Sequence, residues 1–233
     1  MLKINYKNPD LTIWINNGKK FRMLVGVNGM LLPLMLWLFL YIDSGQTEVL
    51  VSISHYYFTR ANSIFIGIMS AISVFLIVYK GEETQDFLIS VGSGLAAICV
   101  ILFPTDNLMG YACDEPCSHI ITNVNPSSVR VGFHYISAAI FLLGLAYMSG
   151  FLFVKSDKQK NSRGKKKVIR NRIYRICSGI MFLAIGVIFF LGFLKWMPAQ
   201  LYDDLKITYW MEVLAVESFG ISWLVKGEAI FGD

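Results

Sequence analysis

Six ionisable side chains are the candidates for chemistry because they lie within or beside long apolar stretches of the sequence. They are His55, Arg60, Asp106, His134, Glu212 and Glu217. An ionisable group is costly to place in a membrane, so its presence there is a functional hypothesis by default. Two imidazoles with a carboxylate can hold a catalytic Zn²⁺ ion, and a guanidinium beside an imidazole can bind a phosphate or carboxylate. These residue types favour either a metal centre or a site for a lipid headgroup.

Six apolar runs must position these side chains, and each run is long enough to cross a bilayer. A helix rises about 1.5 Å per residue, so roughly 20 residues span the hydrocarbon core. The runs are residues 23–42, 61–79, 87–105, 131–154, 176–194 and 207–225. The first five contain no Asp, Glu, Lys or Arg, and 55% of the whole chain is hydrophobic. The sequence predicts an all-α polytopic integral membrane protein, a bundle of six transmembrane helices.

Basic residues are distributed unequally between the two sides of this bundle. Of the 21 Lys and Arg residues, 17 fall in segments 1–22, 80–86, 155–175 and 226–233, which alternate with the other connections. The positive-inside rule assigns these segments to the cytoplasm. We therefore expect a cytoplasmic arm (1–22), a basic cytoplasmic loop (155–175), a cytoplasmic tail (226–233) and both termini in the cytoplasm. The expected location is a bacterial inner membrane, which the chain crosses several times.

The basic segment 155–175 has two interpretations. It is either a determinant of topology that contacts anionic lipid headgroups, or a platform for a cytoplasmic partner. No aromatic residues interleave its central basic part. This composition argues against a nucleic-acid site, which combines basic and stacking side chains. The expected partners are membrane lipids, and nucleic acid is not expected.

The predicted topology brings the candidate residues together near the outer leaflet. Each of five residues lies within about two helical turns of the outer end of a span, which is roughly 11 Å. These five, which we expect to share one pocket, are His55, Arg60, Asp106, His134 and Glu212. Glu217 lies deeper, near mid-membrane. The sequence indicates no comparable cluster in the cytoplasmic half of the bundle.

Several functions remain open for this pocket. The polar groups can simply pair with one another and hold the helices together. Alternatively, the pocket binds a lipid headgroup, which is the favoured function, or His55, Asp106 and His134 hold zinc in a membrane-embedded hydrolase acting on lipids. No H-E-x-x-H motif supports the zinc interpretation, which depends on inferred depth alone. A small transporter is a further alternative, supported only by Glu217.

Two cysteines lie in the longest predicted outer segment, residues 106–130. Cys113 and Cys117 occur in the string CDEPCSH, and an extracytoplasmic location permits disulfide formation. We therefore expect a local disulfide between them. The neighbouring His119 leaves a metal site as an alternative, although three ligands fall short of a structural zinc set.

Two further features predict how the bundle packs. Gly92 and Gly94 in span 3, and Gly144 and Gly150 in span 4, permit close approach of neighbouring helices. In the first outer segment, Tyr56 and Tyr57 are expected at the membrane interface, where aromatic side chains form a belt.

Four strings in the chain resemble those of bacterial six-span membrane proteins of unknown function. The strings are SISHYYFTR (52–60), VYKG at the end of span 2, FPT closing span 3, and ESFGISWLVKGE (217–228). The six-span layout with an acidic last span also distantly resembles the membrane family that contains GPI-anchor remodelling proteins and damage-regulated autophagy modulators. These resemblances imply a shared fold and a lipid-facing role, and they bring no established catalytic residues with them.

Overall fold

The computed structural model describes residues 11–79, 81, 83–108, 119–155 and 164–231, with side chains from residue 18 onward. Within these ranges the chain is helical and has no strand, apart from one isolated bridge between Thr59 and Ile120. The helices are α1 (Leu11–Ser44), α2 (Asn62–Val78), α3 (Thr84–Leu102), α4 (Ser128–Tyr147), α5 (Lys165–Val187), α6 (Ala199–Asp204) and α7 (Ile207–Lys226). A 3₁₀ helix covers Ile53–Phe58, and π-helical turns, Met148–Leu152 and Ile188–Phe193, extend α4 and α5.

Four helices in the described part of the chain are long and apolar enough to span a membrane. They cover Gly18–Ser44, Thr84–Leu102, Ser128–Leu152 and Lys165–Phe193. Helix α2 is apolar but shorter, with 17 residues, and α7 is not among the four. The structure therefore confirms the predicted all-helical fold and the presence of helices that can span a membrane.

The six long helices form a closed ring. Each helix packs against the next in the order α1, α2, α3, α4, α5 and α7, and α7 packs back against α1. Side-chain contacts define the two ends of this ring. At the basic end, Lys155 bonds to the start of α3, and Lys19 pairs with Glu228. At the opposite end, which we call the histidine end, His55 faces Asp106, and Arg60 faces Asp43.

Glycines bring neighbouring helices of the ring into close contact. A Cβ atom at Gly220 would lie 2.7 Å from the carbonyl oxygen of Gly26, so α1 and α7 cross almost backbone to backbone. Of the predicted contact glycines, three are tightly packed against a neighbouring helix and one faces open space. The packed ones are Gly94, Gly144 and Gly150, whereas Gly92 has no atom within 4 Å of its Cβ position.

Two boundaries differ from those predicted. Helix α5 begins at Lys165, so residues 165–175 of the predicted basic loop form the first three turns of a helix. The apolar pattern could not reveal this, because charged residues are good helix formers but do not mark a span. Helix α3 ends at Leu102 rather than at Thr105, since Pro104 disfavours helical geometry in the residue before it.

Candidate functional site

The connection between α1 and α2 folds into the histidine end of the ring instead of lying on the membrane surface. The Tyr209 backbone N–H donates to the Val51 carbonyl at 3.0 Å, and Tyr56 is completely buried. The prediction that Tyr56 belongs to an interfacial aromatic belt is therefore wrong, while Tyr57 is half-buried. Alternation of aromatic and polar residues is typical of an interface, but it also suits a segment buried between helix ends.

Glu212 anchors this connection from α7. Its carboxylate oxygen accepts a hydrogen bond of 2.6 Å from the backbone N–H of Ile53, at the start of the 3₁₀ helix. A 3₁₀ helix leaves its first N–H groups without partners inside the helix, so a carboxylate at this position stabilises it. Glu212 thus joins α7 to the segment that carries His55.

His55 lies at the centre of the histidine end and is only 6% exposed. Its Nδ1 lies 2.7 Å from the Ser52 hydroxyl, and its Nε2 lies 3.9 Å from an Asp106 carboxylate oxygen. Burial lowers the pKa of His55 to about 4, outweighing the attraction of Asp106, and the nearby His134 and Lys206 act in the same direction as burial. The imidazole is therefore neutral at physiological pH.

His134 and Asp106 complete a group of contacts around the end of α3. His134 is 3% exposed, and its Nδ1 lies 2.8 Å from the Phe103 carbonyl oxygen. Asp106 accepts hydrogen bonds from the Thr105 hydroxyl at 2.8 Å and the Tyr135 hydroxyl at 3.3 Å. These contacts stabilise the turn that follows α3.

The predicted five-residue pocket is only partly assembled. His55, Asp106 and His134 lie together and Glu212 holds the adjoining backbone, but the Arg60 side chain is 54% exposed and its guanidinium lies 3.5 Å from Asp43. Within the described residues, no three His, Cys, Asp or Glu side chains are placed to hold a metal ion. The predicted zinc ligands His55, Asp106 and His134 are thus not arranged as a metal centre. Cys113 and Cys117 lie outside the described residues, so their disulfide stays a prediction.

Arg130 organises the same end, and the sequence reasoning did not identify it. From the first turn of α4 its guanidinium donates to the carbonyls of Pro104 at 3.0 Å, Thr105 at 3.3 Å and Asn125. The feature of the sequence that could have identified Arg130 is that it is the only Lys or Arg in segment 106–130. A side chain with five fixed donors suits a turn whose carbonyls lack helical partners.

A lateral groove opens between α1 and α7 beside this cluster. Its volume is about 640 Å³. Pro33, Leu34 and Val213 form its apolar walls. Glu217, which follows Glu212 by more than one turn of α7, also lines the groove. The remaining lining residues come from three places, the face of α1, the start of the connection and the α6–α7 junction: Trp37, Thr47, Glu48, Val49, Asp204, Lys206, Tyr209 and Trp210.

Local contacts fix the rim of the groove. The Trp37 indole N–H donates to the Thr47 carbonyl at 3.0 Å, and its ring stacks on Tyr41 with centroids 5.7 Å apart. On the opposite side, Lys206 has a left-handed backbone (φ 51°) that turns the chain from α6 into α7. The groove is therefore bounded by positioned side chains. No run of apolar or charged residues in the sequence signals it, because its walls come from distant segments.

The basic end contains a polar network that the sequence reasoning failed to predict. The Lys155 ammonium donates to Asp86 and to Glu83, both at 2.8 Å, and Asp86 is only 5% exposed. These hydrogen bonds, the one to Asp86 first, raise the pKa of Lys155 above its usual range. Beside this network Trp223 is 1% exposed and contacts four aromatic rings, those of Phe75, Tyr79, Phe153 and Phe219.

Comparison with known proteins identified no relative of this chain. No protein-family model, no curated protein and no solved structure matches this chain. The resemblance to bacterial six-span proteins, and the more distant one to the GPI-anchor remodelling and autophagy modulator family, therefore stay predictions.

Proposed function

We propose that this membrane protein binds a lipid or lipid-like amphiphile in the groove between α1 and α7. The observation that carries the proposal is the groove itself, with apolar walls and a charged rim. Ligand pockets commonly have volumes of about 300–1,000 Å³, a range that includes this groove. Pro33, Leu34 and Val213 offer contact to an acyl chain, whereas Glu48 and Lys206 lie where a headgroup would follow.

The groove is open to its surroundings on the side where a lipid would enter. Leu34 on α1 is 52% exposed, and Trp210 on α7 is 50% exposed. In a bilayer such side chains face lipid, and tryptophan favours the level of the headgroups. An amphiphile can therefore enter laterally with its chain along α1 and α7 and its headgroup at the rim.

The histidine cluster supports this function indirectly. His55 and His134 are almost completely buried, and each has a ring nitrogen beside a protein oxygen. His55 bonds within the α1–α2 connection and His134 bonds to the turn after α3. Glu212 bonds the connection to α7, and the start of the connection lines the groove. We therefore assign the headgroup to the groove rather than to a pocket made by the histidines.

The proposal includes a topology of six spans with both termini in the cytoplasm of a bacterial cell. Its support is the distribution of Lys and Arg and the closed ring of six long helices. Four exposed basic residues in the first turns of α5 are suited to anionic headgroups of the inner leaflet: Lys165, Lys166, Arg172 and Arg175. A reporter fused after Asp233 should be active in the cytoplasm, and an extracytoplasmic signal would refute the topology.

Photo-crosslinking in nanodiscs tests the binding site. A phospholipid with a diazirine in its acyl chain should label the segments 33–49 and 204–217 more strongly than the outer faces of the other helices. Val213→Trp, which fills the groove, should reduce this labelling, whereas Leu214→Trp should leave it unchanged, because Leu214 is exposed and does not line the groove. Uniform labelling of all lipid-facing helices in the unmodified protein would refute the proposal.

A further inference from the structure

We infer that the groove selects amphiphiles whose headgroup carries an ammonium group over those whose headgroup is purely anionic. This inference deepens the proposed function and rests on it. The candidate ligands are single-chain or two-chain amphiphiles with a primary, secondary or quaternary amine at the headgroup.

The charged side chains that line the groove are the first reason to expect a cationic headgroup. The lining contains three carboxylic side chains, Glu48, Asp204 and Glu217, and one lysine, Lys206, which gives it a formal charge of −2. In surroundings of low dielectric constant, this excess of negative charge attracts a cation and repels an anion more strongly than it would in water.

The aromatic side chains that line the groove are a second and independent reason to expect a cationic headgroup. Trp37, Tyr209 and Trp210 line the same groove as the carboxylates. The face of an aromatic ring attracts a cation, most strongly for tryptophan, and this attraction is the usual means of binding quaternary ammonium groups. The Trp37 ring is already held by Thr47 and Tyr41, so little conformational freedom is lost when a cation binds.

The depth of the carboxylates suits an amphiphile rather than a free amine. Glu48 and Asp204 are exposed at the rim, whereas Glu217 is half-buried and lies nearer the apolar wall formed by Val213. A headgroup at the rim can contact Glu48 and Asp204 while its chain follows the apolar wall toward Glu217, ten residues, or about 15 Å, beyond the start of α7. From there the Glu217 carboxylate acts on the headgroup through surroundings of low dielectric constant. A small hydrophilic amine would gain the charge contacts but leave that wall without a partner.

The test compares amphiphiles that share one tail and differ only in their headgroup. Dodecyltrimethylammonium and dodecyl phosphate, each below its micellar concentration, compete with the diazirine phospholipid for cross-linking to segment 204–217 in nanodiscs. We expect the ammonium compound to displace the probe at a concentration about tenfold lower, a difference of about 1.4 kcal/mol. Equal or stronger displacement by dodecyl phosphate would overturn the selectivity while leaving groove binding intact. If neither compound displaces the probe, and Val213→Trp does not reduce labelling, the proposed function itself fails.

Two substitutions locate the selectivity within the groove. Glu217→Gln and Asp204→Asn should each reduce the preference for dodecyltrimethylammonium several-fold while leaving displacement by dodecyl phosphate unchanged or improved. Asp203→Asn is the matched control, because Asp203 neighbours Asp204 but does not line the groove. A preference that survives the double variant Asp204→Asn/Glu217→Gln, in protein with an unchanged melting temperature, would overturn the inference. A preference abolished equally by Asp203→Asn would do so as well.

Discussion

The two ends of the helical ring use polar residues in different ways. At the basic end, Lys155 bridges Asp86 and Glu83, and an aromatic cluster around Trp223 fills the space between helices. At the histidine end, His55 and Glu212 bond to the chain between α1 and α2, and a groove of about 640 Å³ stays open beside them. Charge and packing together close the first end, whereas polar contacts at the second support a cavity.

This difference separates groups that stabilise the fold from groups that are available to a ligand. Asp86 and Trp223 are buried with partners, so removing them should affect stability. Glu217, Asp204 and Trp210 line a cavity, so changing them should affect binding more than stability. Substitutions at the two ends should therefore have different effects on stability and on binding.

Trp223→Ala should destabilise the protein by about 3–5 kcal/mol, the usual cost of removing a large buried aromatic side chain. The substitution leaves a cavity among Phe75, Tyr79, Phe153 and Phe219 at the basic end. The matched control is Trp210→Ala on the same helix, where the side chain is half exposed and should cost much less. Thermal unfolding in detergent measures both, and equal losses would contradict the proposed contrast between the ends.

Acid should destabilise the histidine end through His55. Its pKa in the folded protein is about 4, below the ordinary 6.5, so the unfolded chain binds more protons between these values. Stability is therefore fully present above about pH 6.5 and falls toward pH 4, by roughly 3 kcal/mol for this shift. His55→Gln should flatten the decline in unfolding free energy over this range. An identical pH dependence in both proteins would show that His55 is not the responsible group.

Gly220→Ala should separate α1 from α7 and cost about 1–3 kcal/mol, the usual penalty for overpacking. The added Cβ would lie 2.7 Å from the Gly26 carbonyl oxygen, and backbone cannot move aside as a flexible side chain can. Gly67→Ala on α2 is the control, since its Cβ would have no neighbour within 4 Å. Comparable melting temperatures for the two variants would contradict the close α1–α7 crossing.

Alkaline pH should weaken the basic end by a smaller amount. The folded pKa of Lys155 is raised by Asp86 and Glu83, so the contribution of Lys155 is fully present below its ordinary value of 10.5. That contribution is lost as pH rises above this value toward the folded pKa. Lys155→Met should be less stable than the unmodified protein at pH 8, and the difference should narrow above pH 10.5. A constant difference would mean that the ammonium charge is not what stabilises this end.

Much of the fold follows from the sequence because apolar length is a strong signal. The runs 23–42, 87–105 and 131–154 predict helices that the structure confirms to within three residues at most ends. The N-terminal ends of α1 and α5 are the exception, because both helices begin well before their apolar runs. Residues 165–175 are helical although charged, and α1 begins well before residue 23. Charged helical turns beyond a membrane span carry no apolar periodicity that would reveal them.

The candidate site was harder to predict, for a geometric reason. The depths of His55, Asp106 and His134 along their spans predict that they lie at the same end of the bundle, and they do. Depth does not reveal that Glu212 bonds to a backbone N–H, or that Glu217 lines a separate groove. Depth along a helix follows from sequence position, whereas the direction in which a side chain points around the helix depends on packing against distant segments.

Native mass spectrometry of the purified protein tests the central claim most directly, because it counts the amphiphiles that stay bound after the bulk lipid is removed. The unmodified protein and Leu214→Trp should each retain one amphiphile under detergent washing, and Val213→Trp should retain none. This result would place the binding site in the groove at the histidine end. Equal retention by Val213→Trp and the unmodified protein, with the same melting temperature, would contradict the account.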